Sequence, residues 1–115
     1  MFEKNLTLIM LFDIYGELLT ETQKTMFDFY YNDDLSLAEI AENTGISRLG
    51  ARDSIKLAEE TLLSYEKKLH LAEKFDGIQK KSREALSLLH TIKGKHPAAA
   101  EELDQVAAIF GSISL

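Results

Sequence analysis

Only one residue of this chain, Pro97, is a proline, and glycine is sparse. A sheet of many short strands needs frequent turns, and turns draw on those two residue types. The sequence therefore favours long uninterrupted helices, and the expected fold class is all-α. With 115 residues and a hydrophobic fraction of 45%, the chain can bury a core as one compact domain or as a small domain with a helical extension. The absence of cysteine excludes a disulfide framework and thiolate metal sites, and fits a reducing compartment. The longest apolar stretch, Leu6–Tyr15, contains Asp13 and is too short to span a bilayer. It also lacks the basic lead-in and small-residue cleavage site of a secretory signal. The expected location is the cytoplasm, without membrane insertion.

Residues Leu6 to Leu19 are apolar on most faces of a helix. Such a helix is buried or shared with a second copy, and Gly16 is placed to bend or end it. Thr20-Glu21-Thr22-Gln23 has the form of a capping box, in which the threonine hydroxyl accepts from the Gln23 backbone N–H while Gln23 reaches back. The helix that follows should bury Met26, Phe27, Phe29 and Tyr30 and stop at Asn32-Asp33-Asp34. Ser36-Leu37-Ala38-Glu39 repeats the device, with Leu35 and Ile40 positioned as a hydrophobic staple. A short helix, Leu37 to Asn43, is then expected, with Gly45 supplying a left-handed residue after its end. Ser47 can cap a third helix running through Ile55, Ala58 and Leu62. Two helices joined by Thr44-Gly45-Ile46 make a helix-turn-helix, so residues 20–59 form such a unit, with its core at 36–59.

From Ile55 the apolar residues keep a 3,4 spacing through Ala58, Leu62, Tyr65, Leu69 and Ala72, close to a coiled-coil seam. The register slips near Asp76-Gly77 and resumes at Ile78, Ala85, Leu89 and Ile92. One long helix with a stutter and two helices broken near Gly77 both fit. His96-Pro97 ends this helical run, and a last helix, Ala98–Phe110, places Leu103, Val106 and Phe110 on one side. The expected domains are 1–71, a helix-turn-helix domain, and 72–115, a C-terminal helical extension. A homodimer through the first helix or through the Ile55–Ala72 seam would cover an otherwise large apolar patch.

Three positions in a helix-turn-helix are demanding. Ala41 is the small residue where the first helix crosses the second, Gly45 tolerates positive φ in the turn, and Ala51 and Ile55 face inward at i and i+4. The run Leu19-Thr20-x-x-Gln23-Lys24, Leu35-Ser36-x-x-Glu39-Ile40-Ala41-Glu42, Gly45-Ile46-Ser47 and Ala51…Ile55…Ala58 resembles region 4 of bacterial sigma-70 factors. That resemblance implies that the helix beginning near Ser47 reads DNA. The sequence departs from the sigma pattern with Ala51 in place of a bulkier valine, with Gly50 weakening the recognition helix, and with Asp53 adding a negative charge. A closer resemblance, through Leu71, is to the YlxM family of small bacterial proteins. It lies in Leu11-Phe-Asp-Ile-Tyr-Gly-Glu-Leu-Leu-Thr20, Phe29-Tyr30-Tyr31-x-Asp33-Asp34-Leu35-Ser36, Ser47-Arg48, Ala51-x-Asp53-x-Ile55-Lys56 and Tyr65-Glu66-x-Lys68-Leu69. This resemblance implies a helix-turn-helix protein tied to the signal recognition particle pathway, with particle components as partners.

Arg48, Arg52 and Lys56 recur at i, i+4 and i+8 and form one basic row. With Ser47 and the helix N-terminus, which can meet a phosphate, they are the candidate nucleic-acid-binding residues, and arginines can fork onto guanine edges. Global charge opposes this reading. The net charge of −6 divides into −7 over residues 1–60 (5 Lys+Arg, 12 Asp+Glu) and +1 over 61–115 (8 and 7), which repels a phosphate backbone. The alternative is a protein-interaction module that uses Asp28, Asp33, Asp34, Glu39 and Glu42 toward a basic partner. RNA recognition would draw on Tyr30, Tyr31 and Tyr65 beside Lys67 and Lys68. Enzymatic readings find little: His70, His90 and His96 form no i,i+4 metal pair, Asp33-Asp34 is a turn signal, and Gly94-Lys95 has no upstream glycine at phosphate-loop spacing. The expectation is a non-enzyme without cofactor or metal.

Overall fold

A computed structural model describes residues 6–113, and the regular elements among them are all helical. The chain divides into two compact units, Met1–Ala72 and Glu73–Leu115.

The first unit contains α1 (Leu6–Tyr15), α2 (Glu21–Tyr31), α3 (Leu37–Thr44) and α4 (Arg48–Leu69). Helix α1 ends four residues before Leu19, where Gly16–Leu18 tightens into a 3-10 turn closed by the Leu19 N–H donating to the Gly16 carbonyl at 3.1 Å. Both capping boxes form. The Gln23 N–H donates to the Thr20 hydroxyl at 3.2 Å and the Thr20 N–H to the Gln23 side chain at 3.1 Å. Ser36 and Glu39 exchange the same pair, each at 3.1 Å. These bonds satisfy backbone donors that a helix start leaves open.

Helix α4 is the hub of this unit and packs against α1, α2 and α3. Its Ala51, Ile55, Ala58 and Leu62 are wholly inaccessible to solvent. The spacing 51, 55, 58, 62 keeps one stripe inward, and the alanines let the facing helices approach closely. Opposite them lie Leu8, Leu11 and Tyr15 of α1, Met26, Phe27, Tyr30 and Tyr31 of α2, and Ile40 of α3. Phe12, Phe27 and Tyr31 form a continuous stack, with centroid separations of 4.5 and 4.2 Å. Tyr31 takes the core position expected of Phe29, which is only half-buried.

Two expectations for the long helical run are corrected. The Ile55–Ala72 seam is not a free dimerisation face, because Ile55, Ala58, Leu62 and Ala72 are buried in the chain's own core. A 3,4 repeat marks any helix with one apolar stripe, whether the neighbour belongs to the same chain or another. The helical break falls at His70, which adopts a left-handed conformation at φ 54°, and not near Gly77. Helix α5 (Leu71–Lys95) runs through Gly77 without interruption.

The cause of the break is tertiary. The Glu66 carboxylate accepts from the Ala72 N–H at 3.0 Å and from the Tyr15 hydroxyl at 2.6 Å. The Tyr15 oxygen in turn accepts from the Leu71 N–H at 3.1 Å. A carboxylate and a phenol thus take the place of a local N-cap at the start of α5.

The second unit consists of α5 from Glu73 onward and α6 (Ala100–Gly111), joined through His96 and a 3-10 turn at Pro97–Ala99. That turn delays the last helix by two residues relative to Ala98. Lys93 pairs with Asp104 at 2.8 Å, and Leu86, Leu89, Leu103 and Ala107 line the crevice between the two helices. No apolar side chain among the described residues of this unit is fully buried.

Candidate nucleic-acid interface

The turn between α3 and α4 is fixed by its own backbone chemistry. Gly45 sits at φ 74° with its N–H donating to the Ala41 carbonyl at 3.0 Å. Among coded residues only glycine reaches this conformation without steric cost. The Thr44 hydroxyl donates to the Ile40 carbonyl at 2.7 Å and accepts from the Ile46 N–H at 3.2 Å, closing the turn from the other side. Ser47 then caps α4. Its hydroxyl accepts from the Gly50 N–H at 3.0 Å and its carbonyl from the Ala51 N–H at 2.8 Å. The N–H groups of Arg48 and Leu49, at the first two helical positions, project from the N-terminal end of the helix.

Gly50 has a different role from the one its helix propensity implies. A Cβ there would lie 2.9 Å from Ile46 Cγ2 and 3.0 Å from Ser47 Oγ. Glycine at this position is what allows Ile46 to pack inward while Ser47 keeps its cap. The low propensity that weakens an isolated helix is the condition for a tight turn here.

Ser47, Arg48, Arg52 and Lys56 are all exposed, while Ala51 and Ile55, interleaved with them, are buried. The structure therefore brings the four candidate residues onto one accessible face at the start of α4. Between 48 and 56 three cations face a single carboxylate, Asp53, so the patch is locally positive on an acidic unit. Leu49, at 64% exposure, and Leu57, at 52%, stand with Asp53 at i, i+4 and i+8 in the next row around the helix. Hydrocarbon at that level has no obvious use against phosphate and gives the face a mixed apolar and basic character.

The five candidate acidic residues are exposed on α2, on the loop after it and on α3. Two of them serve local structure: Asp28 accepts from the Asn32 side chain, and Glu39 closes its capping box. An open groove of about 380 Å³ beside α1 and α2 is lined by Phe12, Asp13, Glu17, Lys24 and Asp28 among others. Among these lining residues Lys24 lies 3.2 Å from Glu17 and 3.8 Å from Glu21.

The aromatic set considered for RNA does not form an accessible stacking platform. Tyr30 and Tyr31 are buried, and Tyr65 is half-buried and stacked on Tyr15 at 5.8 Å. The Tyr31 hydroxyl donates to Glu59. Burial pushes the Tyr15, Tyr30 and Tyr31 hydroxyls above the ordinary phenol range, and the Glu66 carboxylate beside Tyr15 and Glu59 beside Tyr30 and Tyr31 add to the effect. These two tyrosine–glutamate pairs were not foreseeable, because their partners lie 51 and 28 residues apart.

No group of three or more histidine, aspartate or glutamate side chains among the described residues is arranged to hold a metal ion. No described helix is long and apolar enough to cross a membrane.

A family model described as "Putative helix-turn-helix protein, YlxM / p13 like" matches residues 2–108. A UPF0122 protein of Clostridium kluyveri is 42% identical over 104 residues, covering 90% of this chain and 92% of the relative. One from Desulforamulus reducens is 43% identical over 91 residues, 78% of each chain. One from Listeria welshimeri is 49% identical over 80 residues, 70% of this chain and 73% of its own.

Proposed function

Given that the chain belongs to the UPF0122 family of YlxM / p13-like proteins, we propose that it is a regulatory nucleic-acid-binding protein of the signal recognition particle pathway, contacting its ligand through the start of α4. The family is described as one of helix-turn-helix proteins. The observation that carries the reading is the accessible row Arg48, Arg52, Lys56 on a helix whose N-terminus is capped by Ser47. Cations at i, i+4 and i+8 span about 12 Å along the helix and can meet successive phosphates. The open N–H groups of Arg48 and Leu49 favour an anion at the helix end, and each arginine can donate two parallel bonds to a guanine edge. A cytoplasmic setting belongs to this reading, since particle RNA, its GTPases and DNA are all met there.

The acidic remainder of the unit makes binding weak and strongly salt-dependent. Each phosphate neutralised contributes about 0.9 to the slope of log affinity against log salt on duplex DNA. Arg48→Ala/Arg52→Ala should reduce that slope by about two and abolish measurable binding near physiological salt. Fluorescence anisotropy on labelled duplex DNA and particle RNA, across a salt series, reads both effects. Affinity and slope unchanged in the double variant, with its helical circular dichroism intact, would remove the proposal.

A second reading is a protein-interaction module that engages a particle component without nucleic acid. The exposed Leu49 and Leu57 beside the basic row favour it, because apolar side chains add affinity only where a partner excludes water from them. Low-salt capture of the particle GTPase, lost in Leu49→Ser/Leu57→Ser and retained in Arg48→Ala/Arg52→Ala, supports this second reading over the first.

A further inference from the structure

The second unit has a physical problem that the first does not. Its two amphipathic helices leave Ile78, Leu88 and Ile92 of α5 and Val106 and Ile109 of α6 between 40% and 66% exposed. A pair of helices with no fully buried apolar side chain gains little from the hydrophobic effect. Several large apolar side chains exposed on the same two helices mark an interaction site.

The pattern of charge says what covers it. On α5, Lys74, Lys81 and Lys95 share a seven-residue spacing with Leu88, so they lie in one row along the helix. That row borders the adjacent line of Ile78 and Ile92, four residues on. On α6, Glu102, Val106 and Ile109 fall at i, i+4 and i+7, a line distinct from Leu103 and Ala107, which face α5. From Glu73 to Lys95, helix α5 carries six cations and three carboxylates, whereas α6 carries three carboxylates and no cation. One helix thus offers an apolar edge bordered by a lysine row, and the other an apolar edge that begins with Glu102 on a helix whose charged side chains are all acidic.

We infer that the α5–α6 hairpin is a dimerisation module whose partner is a second copy of this chain, with α5 of each copy seated against α6 of the other. A two-fold arrangement uses both edges at once, because an isologous interface pairs residue i with j and j with i. The result is a four-helix bundle in which the exposed isoleucines, leucine and valine become core and lysine faces glutamate at the rim. Pairing α5 with α5 would oppose lysine rows, and pairing α6 with α6 would oppose glutamates. The charge pattern therefore disfavours both. The inference does not depend on what α4 binds.

Light scattering coupled to size-exclusion chromatography on the full chain tests it. The expected mass is twice 13.0 kDa, and Val106→Glu/Ile109→Glu should shift the population to single chains with helical circular dichroism retained. Should that variant lose helicity, surface charge decides. Lys74→Glu/Lys81→Glu/Lys95→Glu and Glu101→Lys/Glu102→Lys are each expected to weaken self-association at least about tenfold, and an equimolar mixture of the two should restore a two-chain species. A single chain at every concentration overturns the inference and leaves the face to another partner. A dimer that persists unchanged in all of these variants overturns it as well.

Discussion

Buried between Phe27 and Tyr30, the Tyr31 ring carries its hydroxyl to the Glu59 carboxylate and so ties α2 to α4. The phenol is held in its protonated form because burial penalises the phenolate and the adjacent carboxylate repels it. An unfolded tyrosine titrates near pH 10, and the folded one well above that. The stabilisation from this pair is therefore complete below about pH 10 and is lost as pH climbs toward the folded value. Tyr31→Phe should cost about 1–2 kcal/mol at neutral pH and should flatten the alkaline decline of stability. Tyr15 and Tyr30, raised in the same direction, will keep part of that decline. Urea melts of both proteins at a series of pH values between about 7 and 11 provide the comparison.

At the scale of elements, Gly50 in α4 and Gly77 in α5 make opposite demands. Gly50 is pressed against Ile46 and Ser47, whereas a Cβ at Gly77 meets nothing within 4 Å. Alanine gains about 1 kcal/mol over glycine in a helix interior. Gly77→Ala should accordingly stabilise α5 by about 0.5–1 kcal/mol, while Gly50→Ala should be net destabilising because Ile46 and the Ser47 cap must move. Paired denaturant melts with unchanged m-values would establish both signs. Helix starts were legible from sequence wherever the cap is local: Thr20 with Gln23, Ser36 with Glu39, and Ser47 with the Gly50 N–H. The start of α5 was not, since its donors are met by Glu66 and by Tyr15, more than fifty residues before Leu71.

For the whole molecule, the residues up to Ala72 contain the buried apolar core, together with the Tyr15–Glu66 bonds that hold the first turn of α5. A chain ended after Ala72 is expected to fold by itself, with one cooperative thermal transition within a few degrees of that of the full chain, and circular dichroism melts measure this. That outcome would also support a working boundary near residue 71 between a helix-turn-helix domain and its helical extension. Composition, capping signatures and the 3,4 apolar repeat by themselves determined the all-α class, the helix-turn-helix and the outward direction of Arg48, Arg52 and Lys56. Each of these follows from helix geometry and hydrogen bonds within a few residues. Only the tertiary structure decided that the Ile55–Ala72 stripe is buried in the chain's own core, that the long helical run breaks at His70, and that Gly50 is needed for packing. A repeat specifies that one face will be buried, but the neighbour that buries it is chosen by side chains distant in sequence.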